Sequence, residues 1–414
     1  MKQEKQLLLS LLASALVLGC LAACTTTKAN KLSLPKAETI NEKQLDDKFI
    51  EATMDFAFKL YSACYDNQDN TMISPLSLMT VLAMGANGAN GQTRNELEKL
   101  LTCMPISELN EYLASYQKHL MTSSKLVSSN SFWIKDDDSI KVLEDYLQIL
   151  ANYYQVEVYQ EKFDDTTVKA INSWVKDKTS GLIKEIIQQL NPFTILCLIN
   201  AVVFEAEWAN VYNIEDINSG IFTDINNKEL TVEYMYSTET GYLKDDLSRG
   251  FIKKYQDNEF ALVALLPNED INIEDYISKL DGKRILNLLE NKQFETVNAV
   301  LPKFSYETDL DMIDILKNLD IKTAFLPDEA DFGSMVDLTM VENIYISKII
   351  HKTFINVDEL GTKAGAVSLI AFDTKSAPIE EIYIVLDRPF IYLIIDTTTN
   401  LPVFIGSVLT IPNN

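Results

Sequence analysis

Only two of the 414 residues are histidines, His119 and His351, and that restricts the acid–base chemistry open to the chain. A Ser-His-acid hydrolase displays its serine on a sharp turn, and no Gly-x-Ser-x-Gly elbow occurs. Ser74 instead precedes Pro75 at the head of an apolar run, the setting of a helix start. The glycine-rich "GANGANG" of residues 85–91 lacks the Lys-Ser/Thr of a phosphate loop and reads as a helix-ending loop. Cys64, Cys103 and Cys197 have no Cys-x-x-Cys spacing and no histidine beside them, so they read as free or buried thiols. No metal or cofactor follows from these residues. One stretch stands apart from these. The stretch "ELGTKAGAVSLIAFDTKSAP", residues 359–378, has a middle of small residues between two β-patterned runs, and its first proline is Pro378.

The elements around that stretch are mixed. Apolar residues recur at helical spacing from Asp47 to Cys64, and Pro75 to Met84 reads as a buried helix. Residues 166–190 also read as helical. "SFWI", "VEVYQ", "EFALVALLPN", "IYISKIIHKTFINV" and "RPFIYLIIDTTTNLPVFIGSV" read as strands. "TILCLINAVVFEAEW" suits a strand buried on both faces. The class is α+β, strand-rich in its C-terminal half, with no interior linker and no repeat, hence one domain.

A net charge of −24 with no basic stripe excludes nucleic acid and anionic lipid surfaces as partners. Its bland meaning is solubility; its sharper one is steering of a basic partner. The first residues combine a short lysine-containing start with an apolar run, Leu7 to Leu18, too short to span a bilayer comfortably. "LAAC", ending at Cys24, looks like a bacterial lipobox, with "VLGC" at Cys20 as the weaker candidate. Residues 1–23 are then a lipoprotein signal peptide and 24–45 a lipidated cysteine with a polar tether. The expectation is an exported protein, lipid-anchored at a bacterial cell surface or released from it, touching membrane only through the anchor.

Six segments carry a resemblance. "NTMISPLSLMTVLAMGANGANGQTRNEL", "INSWVKDKTSGLIKEII", "LINAVVFEAEW", "LPKFSYETDL", "ISKIIHKTFINVDELGTKAG" and "DRPFIYLIIDTTTNLPVFIGSV" occur in the order seen in serpins. The chain resembles that family from about Asp47 to Pro412. The resemblance implies one domain over 46–414, with three β-sheets, eight or nine helices and an exposed reactive-centre loop at about 359–380. It implies a suicide-substrate inhibitor of serine proteases, not an enzyme, working as a monomer without cofactor. The cleaved loop inserts into the main sheet and traps the acylated protease.

Insertion asks for small side chains and no proline. The hinge would be Glu359, Gly361, Thr362, Lys363, Ala364, Gly365, Ala366, Val367 and Ser368. By strand alternation Thr362, Ala364, Ala366 and Ser368 share the face that the resemblance turns inward. Counting from Gly361, as the family does, sets the scissile bond at Lys375–Ser376, which suits a trypsin-like protease with an elastase-like one second. This loop is three residues longer than in many members, so Thr374–Lys375 and Ser376–Ala377 stay open. Lys363 stands where an acidic residue is commoner. Ser74, Ser77, Asn200 and His351 match the family's shutter cluster, and Trp208, Lys303 and Glu359 its breach, with a Lys303–Glu359 ion pair expected. The other implied reading is a non-inhibitory serpin, a protease substrate or surface binding protein.

Overall fold

The computed structural model describes residues 29–191, 194–339, 343–362 and 381–412. Among them run nine α-helices: α1 Asp47–Cys64, α2 Pro75–Gly88, α3 Gly91–Leu101, α4 Ile106–Leu120, α5 Glu144–Tyr153, α6 Asp165–Lys178, α7 Ile273–Ser278, α8 Gly282–Glu290 and α9 Met312–Asn318. The strands of the N-terminal half are β1 Lys31–Leu32, β2 Thr71–Ile73, β3 Leu126–Lys135, β4 Glu157–Glu161, β5 Leu196–Phe204 and β6 Ala206–Glu207. There follow β7 Ile217–Thr223, β8 Glu229–Glu239, β9 Tyr242–Lys244, β10 Ser248–Lys254, β11 Phe260–Pro267 and β12 Val297–Pro302. The last six are β13 Phe304–Asp311, β14 Ile350–Val357, β15 Gly361–Thr362, β16 Ile382–Val385, β17 Phe390–Asp396 and β18 Pro402–Val408.

Local chemistry accounts for the helix ends. The Asp46 carboxylate caps α1 by accepting from the Phe49 N–H, and Ser74 caps α2 with Pro75 in the first turn. Nearly every residue of α2 is buried, so it is the core helix on which the sheets pack. Helix α6 stops at Lys178 rather than running to residue 190. Ser180 at φ 50° and Gly181 at φ 81° turn the chain out of the helix, and the Thr179 hydroxyl donates back to the Val175 carbonyl.

The six-stranded sheet β2-β18-β17-β11-β10-β9 forms the rigid half of the core; β11, β17 and β18 are buried along their whole length. A second sheet, β16-β12-β8-β7, holds the strand to which the chain returns after residue 380. The largest sheet of the expected architecture is parted into two four-stranded halves, β1-β4-β3-β5 and β13-β14-β15-β6. From Ala29 onward the stretch expected as a tether lies along the domain. β1 pairs with β4, Lys31 and Lys43 reach Glu157 and Glu108 at 2.6 Å each, and Leu32, Leu34 and Leu45 pack on the core.

Candidate functional site

The parting between the half-sheets is a slot for a strand. β6 continues β5, and β15 is antiparallel both to β6 (Gly361↔Glu207, Thr362↔Ala206) and to β14 (Val357↔Thr362). β5 and β14 are therefore parallel to each other. Below β15 they share no ladder among the described residues. The space between them is a cavity of about 480 Å³ low in the gap, lined by Ser77, Val81, Asn200, Ile349 and His351. A separate, small cavity of about 10 Å³ lies higher up, beside Phe204, Phe354 and Thr362. The gap explains a departure from sequence expectation. Leu196 to Asn200 of β5, read as buried on both faces, are only half-buried because no neighbour covers that edge.

At the top of the gap the chain reverses in a tight turn. The Asp358 carboxylate accepts from the Leu360 N–H at 2.9 Å and the Gly361 N–H at 3.2 Å. Trp208 ties this turn to β6, donating its indole N–H to the Asp358 carbonyl and its backbone N–H to the Leu360 carbonyl, both at 2.9 Å. A Cβ on Gly361 would stand 2.1 Å from the Ala206 carbonyl oxygen, so only glycine lets β15 approach β6. Thr362 is 3% exposed and its hydroxyl meets the Tyr255 hydroxyl at 2.7 Å. Glu359 pairs with Lys303 at 2.8 Å, and Lys303 also reaches Glu233 at 3.1 Å. The Lys303 hydrogen bond holds the Glu359 carboxyl below its ordinary range. Burial works against the Lys303 charge, but the two carboxylates keep its pKa above the usual value. Being part-exposed, the pair contributes about 1 kcal/mol or less.

Lower down, His351 sits on the buried side of β14, whose residues alternate in burial. Its Nε2 accepts from the Ser74 backbone N–H at 3.0 Å, and the Ser74 hydroxyl oxygen accepts from the Ser77 N–H at 3.4 Å. Burial pushes the His351 pKa down to about 3, so the ring is neutral with its proton on Nδ1. Asn200 lies on the facing wall. Its amide donates to Ser128 and Asn130 of β3, at 3.1 and 2.7 Å, while its buried Oδ1 has no hydrogen-bond partner. The parted sheet thus brings Ser74, Ser77 and His351 together and leaves Asn200 across the gap.

A model of the family described as "Serpin (serine protease inhibitor)" matches residues 51–411. The chain is a serpin. An uncharacterized serpin-like protein of Thermococcus kodakarensis is 30% identical over 393 residues, covering 91% of this chain and 89% of that one. Among solved structures, the thermophilic serpin tengpin in its native state matches with a TM-score of 0.87 and 42% identity, over 92% of this chain and all of that one. Thyroxine-binding globulin in complex with thyroxine matches at 0.75 with 25% identity, over 88% of this chain and 100% of that one.

In this serpin the breach residues Trp208, Lys303 and Glu359 meet at the hinge turn, together with Gly361 and Thr362. The remaining hinge residues, Lys363 to Ser368, lie outside the described residues, as do Thr374, Lys375, Ser376, Ala377, Cys20 and Cys24. Sequence reasoning missed Asp358, Tyr255 and Lys253. Lys253 is 2% exposed at its side chain, pairs with Glu239 at 2.9 Å and lies 4.2 Å over the Tyr212 ring. The signal was present: alternation in "GFIKKYQ" puts Lys253 on the inward face with Phe251 and Tyr255.

Proposed function

We propose that this serpin is a suicide-substrate inhibitor of extracellular serine proteases, anchored by a lipidated Cys24 at a bacterial cell surface and acting as a monomer. One observation carries the inhibitory reading: two parallel strands stand unpaired across a gap, and Gly361–Thr362 already form the head of an antiparallel strand between their upper ends. Thyroxine-binding globulin has the same fold, so the argument rests on the gap and the small-residue hinge rather than on the family alone.

The mechanism follows from register. A protease attacks the Lys375–Ser376 bond, Lys375 entering an acidic pocket, and the Lys375 carbonyl becomes the acyl group on its serine. The freed N-terminal arm then extends β15 down the gap. Continuing the Thr362↔Ala206 and Val357↔Thr362 pairings would set Ser368 opposite both Asn200 and His351. A serine there gives the unpartnered Asn200 oxygen a donor. A dozen new ladder bonds at about 0.5–1.5 kcal/mol each contribute on the order of 10 kcal/mol. Some fifteen residues at about 3.3 Å each carry the acylated protease roughly 50 Å, far enough to distort its active site before water releases it. The net charge of −24 favours encounter with cationic proteases.

The test is to mix residues 25–414 with a trypsin-like and an elastase-like protease and analyse denaturing gels, with mass spectrometry of the released peptide. A denaturant-resistant complex with a peptide starting at Ser376 is expected. Clean cleavage without complex or loss of protease activity, across a wider panel of serine proteases, would overturn the reading in favour of a substrate or binding serpin. Globomycin-sensitive processing and labelling by radioactive palmitate, lost on Cys24→Ala, test the anchor.

A further inference from the structure

We propose that Tyr255 is the positioning residue that seats Thr362 at the head of the gap and so starts strand insertion. The inference rests on the inhibitory reading above and adds a residue to it. Tyr255 follows β10, bridges to Trp208 through its backbone, and is fully buried. Its ring lies stacked on Trp208, centroids 4.5 Å apart and planes 12° apart, and edge-on to Phe204 at 4.9 Å and 71°. Two rigid rings therefore fix where the phenol oxygen points. Trp208 is itself held by the Asp358 and Leu360 carbonyls of the turn before the hinge. The Lys253 ammonium lies 5.3 Å from the centre of the indole, kept in place by Glu239. The phenol is thus aimed by a fixed stack at one atom of the hinge, the Thr362 hydroxyl 2.7 Å away.

That atom belongs to the first residue of the new strand with ladder partners on both sides, Val357 and Ala206. Ordering the first residues of a strand precedes the ladder bonds that reward it, so the head of the strand governs how fast insertion begins. Once the loop is cut, insertion races against release of the protease by hydrolysis. A hydroxyl pair that keeps Thr362 seated shortens the insertion side of that race. A residue without a hydroxyl at position 362 would fill the space but leave a buried phenol unpaired.

The wild type, Tyr255→Phe, Thr362→Val, the double variant and Thr362→Ser are titrated against trypsin. Three quantities are read: inhibitor molecules consumed per protease inactivated, the second-order rate of inactivation, and the thermal midpoint. Tyr255→Phe and Thr362→Val are each expected to raise the consumption in excess of one, which is the ratio of hydrolysis to insertion, roughly two- to tenfold, the range for one lost buried hydrogen bond. The product of rate and consumption, which reports the initial encounter, stays at the wild-type value. The double variant consumes no more than either single one, and Thr362→Ser matches wild type. Wild-type consumption in both single variants, with only a lowered thermal midpoint, would overturn the inference and leave inhibition standing. Should Tyr255→Phe not fold, the near-isosteric Thr362→Val decides alone. A wild type that traps no protease would instead overturn the inhibitory reading, and this inference with it.

Discussion

His351 ties stability to pH in a way that can be isolated. In the folded protein burial holds its pKa at about 3, and the neutral ring accepts the Ser74 N–H at 3.0 Å. In the unfolded chain a histidine titrates near about 6.5. A folded pKa below the unfolded one means that the unfolded state takes up the proton first. The stabilising contribution is therefore complete above about pH 6.5 and lost as pH falls from there toward 3. Going from pH 7.5 to pH 5 should cost about 2 kcal/mol from this residue alone, at about 1.36 kcal/mol per pH step below 6.5. Carboxylates titrate over part of the same range, so the reference is His351→Gln, whose side-chain carbonyl can still accept from Ser74 but carries no proton. Urea unfolding of both proteins at the two pH values gives the comparison: wild type should lose about 2 kcal/mol more than the variant. Equal losses, within about 0.5 kcal/mol, would refute the buried-neutral assignment. His351→Ala, which leaves the Ser74 donor bare at the base of the gap, should in addition polymerise faster on heating, seen as ladders on native gels.

Three further outcomes follow from the same geometry. Burial would raise the Glu157 carboxyl, yet hydrogen bonds from Lys31 and Trp174 and the nearby Lys178 bring it down to about 2. Its contribution is complete above an unfolded value of about 4.3 and lost as pH falls toward 2. Glu157→Gln should lower stability by up to about 3 kcal/mol at pH 7 and by almost nothing near pH 2, checked by denaturant melts. Thr362→Arg would force a guanidinium into a seat only 3% exposed, so the protein should be cut but form no denaturant-resistant complex, read on gels as cleaved monomer alone. A synthetic peptide of residues 362–375 should occupy the gap, raise the thermal midpoint in a concentration-dependent way and abolish inhibition. No shift at millimolar peptide would count against the slot.

How much was legible in the sequence divides along range of interaction. Local rules were enough for the helix start at Ser74 and Pro75 and for reading β11, β14 and β17 as strands. The Lys303–Glu359 pair and the Ser74–Ser77–His351 contacts rested on family motifs, since they join positions up to 277 residues apart. What was missed depends on which edges find partners. Apolar periodicity cannot say that β5 lacks a neighbour on one side, so its lower half was read as buried on both faces. The N-terminal stretch was read from its polar composition as a tether. Three leucines hold it to the domain, with Lys31 paired to Glu157 on β4, Lys43 to Glu108 on α4 and Glu42 to Lys118 on α4. Helix α6 was overextended because its amphipathic pattern continues past Lys178, while Ser180 and Gly181 break the backbone.

On the inhibitory reading proposed above, the gap is what the cleaved loop would fill. Strand edges are templates for further pairing, and folded proteins usually cover or shorten them. Here two long edges face each other in parallel, one closed by β3 on its far side and the other by β13. An antiparallel strand between them satisfies both at once. Gly361 and Thr362 have begun it, and residues 363–381 connect them covalently to β16 at Ile382. While intact, that stretch is tied at both ends, and deep insertion would require it to reach β16 from the bottom of the gap. Cleavage removes one tie. On that reading connectivity holds the chain short of its most paired arrangement. On the inhibitory reading, a single peptide bond broken by the protease would let the new strand form.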